Sequence, residues 1–77
     1  MGNRYLSSVL GDLRSGVERC KNLKETLSQF KADFPYVDEK LPKNVQKLID
    51  ISVASLESAM ATTETISEMV EEVLNNE

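Results

Sequence analysis

The sequence contains no histidine and no tryptophan, and Cys20 is its single cysteine. Without histidine the chain cannot assemble a Cys/His metal site, and no imidazole is present to activate a nucleophile as a general base. A single cysteine also excludes a disulfide within the chain. We therefore expect a protein that is not an enzyme, that binds no metal ion or other cofactor, and that keeps Cys20 as a small apolar side chain in its core.

Long apolar stretches are missing as well. No run approaches the roughly 18 to 20 residues that a transmembrane helix needs. The N-terminal residues Met1–Tyr5 lead directly into an amphipathic pattern rather than into the apolar core of a signal peptide. We therefore expect a protein of the reducing cytoplasm with no membrane contact.

Positive charge is absent from the C-terminal part of the chain, because no lysine or arginine follows Lys47. Residues 1–34, by contrast, carry six basic and four acidic side chains, although the net charge of the whole chain is −4. A general nucleic-acid-binding protein presents a basic face, so we expect no direct nucleic-acid binding. The asymmetry favours pairing between the two halves of the chain or with a basic partner protein.

The length of 77 residues predicts a single domain. A domain of this size buries only about 60% of the surface that its unfolded chain exposes. Small domains usually gain further stability from disulfides, a metal ion or association. Because the composition excludes the first two, we expect a homodimer or a partner protein of unknown identity.

Apolar and small residues in the first half recur at alternating intervals of three and four without a slip. This spacing is the heptad signature of a helix that packs along one seam. It predicts a first helix over about residues 3–34, which Pro35 ends because proline lacks an N–H and disfavours helical geometry in the preceding residue. The predicted seam consists of Leu6, Val9, Leu13, Gly16, Cys20, Leu23, Leu27, Phe30 and Phe34, and Tyr5, Leu10 and Val17 widen it near the N-terminus.

A connector over residues 35–41 leads to a second predicted helix over residues 42–74, with Pro42 in its first turn, where proline is well tolerated. The best heptad frame of this helix contains Ile49, Val53, Leu56, Met60, Thr63, Ser67, Val70 and Leu74. A neighbouring row of apolar or small residues contains Val45, Ser52, Ala59, Ile66 and Val73. Two adjacent rows form a face broader than one neighbouring helix requires.

These elements predict an all-α fold, an antiparallel helical hairpin that forms one domain over residues 1–77. A turn centred near residue 38 would place Gly16 opposite Met60. The hairpin alone would leave one face apolar, and pairing two hairpins into a four-helix bundle would cover it. The seam residues of both helices, together with Ile66 and Val73, are therefore expected in the core or at the dimer interface.

Two surfaces are candidates for partner binding. Asp50, Glu57, Glu64 and Glu71 recur every seven residues as an acidic row, with Glu68 nearby. The row is either a solvated flank that faces lysine and arginine residues of a neighbouring helix, or a docking face for a basic partner. Phe34 and Tyr36 gather near the connector. They mark either an apolar docking tip or, with Phe30, a plug at the end of the bundle.

The function that this pattern favours is a protein–protein interaction module, such as a small regulatory adaptor, a co-chaperone or an inhibitor of a larger protein. Two alternatives stay open: a structural coiled-coil subunit of a larger assembly, and an acidic inhibitor of the phage-encoded kind that occupies a basic or nucleic-acid-binding surface. The outline resembles helical-hairpin proteins in general, including plasmid copy-control hairpins and secretion-system co-chaperones, and no motif singles out one family.

Overall fold

Two antiparallel α-helices account for nearly all of the structure, a computed structural model that describes residues 3–34 and 41–76. The first helix, α1, spans Arg4–Asp33, and the second, α2, spans Val45–Asn75. They pack side by side as a hairpin whose extents are 58 × 15 × 14 Å. The predicted all-α hairpin is therefore confirmed, whereas its pairing into a four-helix bundle stays a prediction.

Local hydrogen bonds fix where the helices begin. The side chain of Asn3 accepts a hydrogen bond of 3.0 Å from the backbone N–H of Leu6, which caps the first turn of α1. Helix α2 begins at Val45 rather than at Pro42, because the N–H of Val45 donates to the carbonyl of Pro42 and closes a turn ahead of the helix. Pro35 and most of the predicted connector, residues 35–40, lie outside the described residues.

The predicted seam of α2 is the face that packs against α1. Ile49 and Ser67 are buried, with exposed fractions of 4% and 7%. The hydroxyl of Ser67 donates to the backbone carbonyl of Thr63, so its burial leaves no donor unpaired. We call this seam the inner face, and all of its residues are buried or half-buried: Ile49, Val53, Leu56, Met60, Thr63, Ser67, Val70 and Leu74.

Helix α1 meets α2 through a surface that is turned slightly from the predicted seam. Leu10, which together with Val17 widens the predicted seam, is the most buried apolar side chain of α1, with 9% exposed, and Val17 and Lys24, one and two heptads further along, are half-buried. Leu23 is 49% exposed, because it lies on the side of the seam that faces away from this row. The remaining seam residues of α1 are half-buried: Leu6, Val9, Leu13, Gly16, Cys20, Leu27, Phe30 and Phe34.

Two residues of α2 that were expected in the core or at a dimer interface are exposed in the single chain. Ile66 is 45% exposed and Val73 is 50% exposed. Both belong to the row beside the inner face, and that row points away from α1. They therefore contribute nothing to the hairpin's own core, and whether they line a dimer interface stays a prediction.

The register of the hairpin differs from the predicted one. A Cβ atom added at Gly16 would have nothing within 4 Å, so Met60 does not pack into a hole at this position. In the predicted register Lys24 faces Ser52, about five residues before its observed partner Glu57. The later start of α2 accounts for part of this shift, because the helix begins at Val45 rather than at the predicted Pro42.

The packing of α1 predicts unequal effects for two leucines on the same helix. Leu10→Ala should lower the free energy of unfolding by about 2–5 kcal/mol, the usual loss for a large-to-small change at a buried site. Leu23→Ala should lower it by no more than about 1 kcal/mol, because half of this side chain is already in water. Urea denaturation of both variants measures the difference, and equal losses would contradict the observed rotation of α1.

Candidate interaction surfaces

The acidic row of α2 lies along the edge of the contact with α1, and most of its carboxylates pair with that helix. The ion pairs are Lys31–Asp50, Lys24–Glu57 and Arg14–Glu71. The Lys24–Glu57 pair has an N–O distance of 3.2 Å, and its two side chains are 36% and 54% exposed. At these three positions the acidic row therefore faces lysine and arginine side chains of α1. This arrangement was one of the two interpretations of the row.

Glu64 and Glu68 complete the acidic candidates. Neither forms an ion pair with any residue of 3–34 or 41–76, and both line a shallow depression with Arg14, Val17 and Glu71. Arg14 is already bound to Glu71 there. Within the described part of the chain, no cluster of three or more His, Cys, Asp or Glu residues could hold a metal ion. The depression therefore offers a weakly acidic surface rather than a built ligand site.

The aromatic candidates lie at the end of α1. Phe30 and Phe34 form an edge-on ring contact with centroids 6.2 Å apart, and both are half-buried. An edge-on contact of this kind stabilises the two rings against each other. It favours the interpretation of Phe30 and Phe34 as a plug. Tyr36, the other candidate at this tip, lies outside the described residues.

A second heptad seam runs along the solvent side of α2. Each of its residues directly precedes a residue of the inner face, so the two faces are about 100° apart around the helix. We call it the outer face, and all of its residues are exposed: Leu48, Ser52, Ser55, Ala59, Thr62, Ile66, Met69 and Val73. Its large members are 45% to 62% exposed, and Ile51 beside them is 55% exposed.

Two hydroxyl groups in the middle of the outer face form hydrogen bonds with the backbone of their own helix. The hydroxyl of Ser55 donates to the carbonyl of Ile51 at 2.9 Å, and the hydroxyl of Thr62 donates to the carbonyl of Ser58 at 3.0 Å. Because these donors are already bonded, covering them with another protein would leave no hydroxyl proton unpaired. The hydroxyls of Ser55 and Thr62 can therefore be buried at little polar cost.

Charge is also absent from this side of the helix. Between Leu48 and Ser67 the charged residues are Asp50, Glu57 and Glu64, all of them in the acidic row. That row lies on the opposite side of α2 from the outer face, because each of its members is two residues from the nearest outer-face positions. In an acidic protein the outer face is thus a long uncharged surface.

Sequence reasoning found only half of the outer face. The row Ser52, Ala59, Ile66 and Val73 was noticed because it repeats every seven residues. The companion row, which contains Leu48, Ser55, Thr62 and Met69, was missed because its middle members are polar. The sequence did contain a signal for this row. Each outer-face residue directly precedes an inner-face residue, so subtracting one from every inner-face position gives the complete second seam.

The ion pairs of the acidic row predict a small difference between two neighbouring glutamates. Glu57→Gln removes the partner of Lys24 and should lower the free energy of unfolding by about 0–1 kcal/mol, an effect that salt screens. Glu64→Gln is the matched control, because Glu64 has the same heptad position and no ion pair among the described residues. Denaturation at low and high ionic strength measures both, and a larger loss for Glu64→Gln would contradict this arrangement.

Comparison with protein-family models, with curated proteins and with solved structures finds no match to this chain. Over the described residues, neither helix combines the length and apolar character that crossing a membrane requires. The function must therefore be argued from the surfaces of the hairpin, and among the described residues most of the large exposed apolar side chains lie on the outer face of α2.

Proposed function

We propose that the protein is a non-enzymatic protein–protein interaction module, a small adaptor, co-chaperone or inhibitor that binds through the outer face of α2. The observation that supports this proposal is the set of large apolar side chains exposed along one line of the helix. Leu48, Ile66, Met69 and Val73 belong to this line, and Ile51 lies beside it. Apolar side chains that are exposed together on one face, as they are here at both ends of the outer face, mark interaction sites in soluble proteins.

The weakness of the hairpin's own core supports the same proposal. Among the described residues, only Leu10 and Ile49 are buried apolar side chains. Burying a large apolar side chain completely contributes about 1.5–3 kcal/mol. Because the large side chains of the outer face are about half exposed, covering them with another helix would add apolar burial comparable to that of these two residues.

The structural coiled-coil subunit is the nearest alternative, because a second heptad seam would also serve in a larger assembly. The acidic inhibitor has less support. Most of the acidic row already pairs with α1, so a basic partner would have to replace lysine and arginine side chains that are in place. The cytoplasm, and the absence of nucleic-acid and membrane binding, remain predictions from composition and charge.

Site-specific photo-crosslinking in the native host tests the proposal. A photoreactive residue at position 66 lies on the outer face, and one at position 64 lies on the acidic row of the same helix. Position 66 should form a crosslink to a protein, whereas position 64 should form few, because it faces the opposite side of α2.

Crosslinks from position 64 without any from position 66 would instead indicate the acidic docking face. No crosslink from either position would contradict a binding role for α2. A crosslinked species of twice the chain mass would indicate a second copy of the chain, and one of a different mass would indicate another protein. Both results would agree with the interaction module.

A further inference from the structure

We propose that the outer face of α2 binds a second copy of this chain, with the two α2 helices antiparallel. The inference rests on the proposed function in one respect, namely that the outer face is a contact surface. It adds the identity of the occupant and its direction. Three features of the described residues carry it: the angle between the two faces, the order of side-chain sizes and the distribution of unpaired charges.

The angle between the faces matches that of a helix with two neighbours. A helix in a four-helix bundle contacts two adjacent helices at roughly right angles around its axis. On α2 the inner face meets α1, and the outer face is about 100° away, since its residues are offset by one position. If two hairpins pack together through their outer faces, α2 therefore contacts α1 through its inner face and a helix of the other copy through its outer face.

The sizes of the outer-face side chains are self-complementary. Large residues occupy both ends, and small residues occupy the centre. An antiparallel pair that is centred near residue 57 matches large with large and small with small. Within the outer face the facing pairs would be Leu48–Ile66, Ser52–Thr62 and Ser55–Ala59, and Met69 would face the half-buried Val45 in the first turn of α2. The small central layers would let the two helix backbones approach closely, as small residues do at close helix contacts.

Size alone would also permit a parallel pair, but the charges distinguish the two directions. Lys43 and Lys47 lie at the N-terminal end of α2, and Glu68 and Glu72 lie near its C-terminal end. None of these four forms an ion pair with a residue of the described ranges. Antiparallel helices bring the lysines of one copy beside the glutamates of the other, whereas parallel helices bring like charges together.

This symmetry is the reason for choosing a second copy over a foreign partner. A two-fold interface requires a surface that is complementary to itself. The outer face meets that requirement in size and in charge at the same time. A foreign basic partner would be expected to use the acidic row instead, and that row lies on the other side of the helix.

Exchanging the end charges of α2 tests both the occupant and the direction. One variant carries Lys43→Glu and Lys47→Glu, a second carries Glu68→Lys and Glu72→Lys, and a third carries all four changes. Each exchange places charges that favour the helix dipole, negative near the N-terminus and positive near the C-terminus. A loss of association could therefore not be attributed to a weaker helix, and circular dichroism of each variant checks this.

Sedimentation equilibrium of the purified chains gives the dimer dissociation constant. We expect the wild type to dimerise at micromolar concentration and each double variant to bind about tenfold or more weakly at low salt, because attraction across the interface becomes repulsion. The fourfold variant should return to within about threefold of the wild type, since its end charges are again opposite in the antiparallel pair.

Two results would overturn the inference. A wild-type dimer that both double variants leave unchanged would mean a parallel pair or a different interface. A wild type that stays monomeric at millimolar concentration would exclude the second copy altogether. In that last case a crosslink from position 66 to a protein of another mass would still support the interaction module, so the failures of the two proposals are distinguishable.

Discussion

The burial of one face of α2 against α1 is the contact on which the rest of the structure depends. Ile49 and Ser67 are buried by it, and Leu10 supplies the complementary surface from α1. The contact is narrow because two helices can cover only one strip of each other. The outer face of α2 is therefore left in water.

The inner and outer faces of α2 differ in the charged residues that flank them. The acidic row flanks the inner face, where Lys31, Lys24 and Arg14 balance most of its charge. The outer face has no charged member over its whole length, and Lys43, Lys47, Glu68 and Glu72 near the ends of α2 form no ion pair with residues 3–34 or 41–76. Exposed ion pairs stabilise a fold only slightly.

Features that depend on local periodicity could be predicted from the sequence, whereas features that depend on how the two helices pack against each other could not. The bounds of α1 and every member of the inner face follow from the spacing of three and four residues. The start of α2 was placed at Pro42 because proline suits a first turn, but a turn closed by Val45 precedes the helix. The register and the exposure of Leu23 depend on how the helices rotate about each other, which no spacing within one helix specifies.

For the candidate site, the pairing of the acidic row was one of two stated interpretations. Half of the outer face was missed because its serine and threonine residues interrupt the apolar pattern.

The central claim is that the single hairpin is incomplete and that association through the outer face stabilises it. The dependence of the melting temperature on protein concentration tests this most directly, because a chain that folds together with its neighbour is stabilised by mass action. We predict that thermal unfolding of the purified wild type, followed by circular dichroism, shifts upward by several degrees over a hundredfold rise in concentration. A melting temperature that stays the same over this range would contradict the claim.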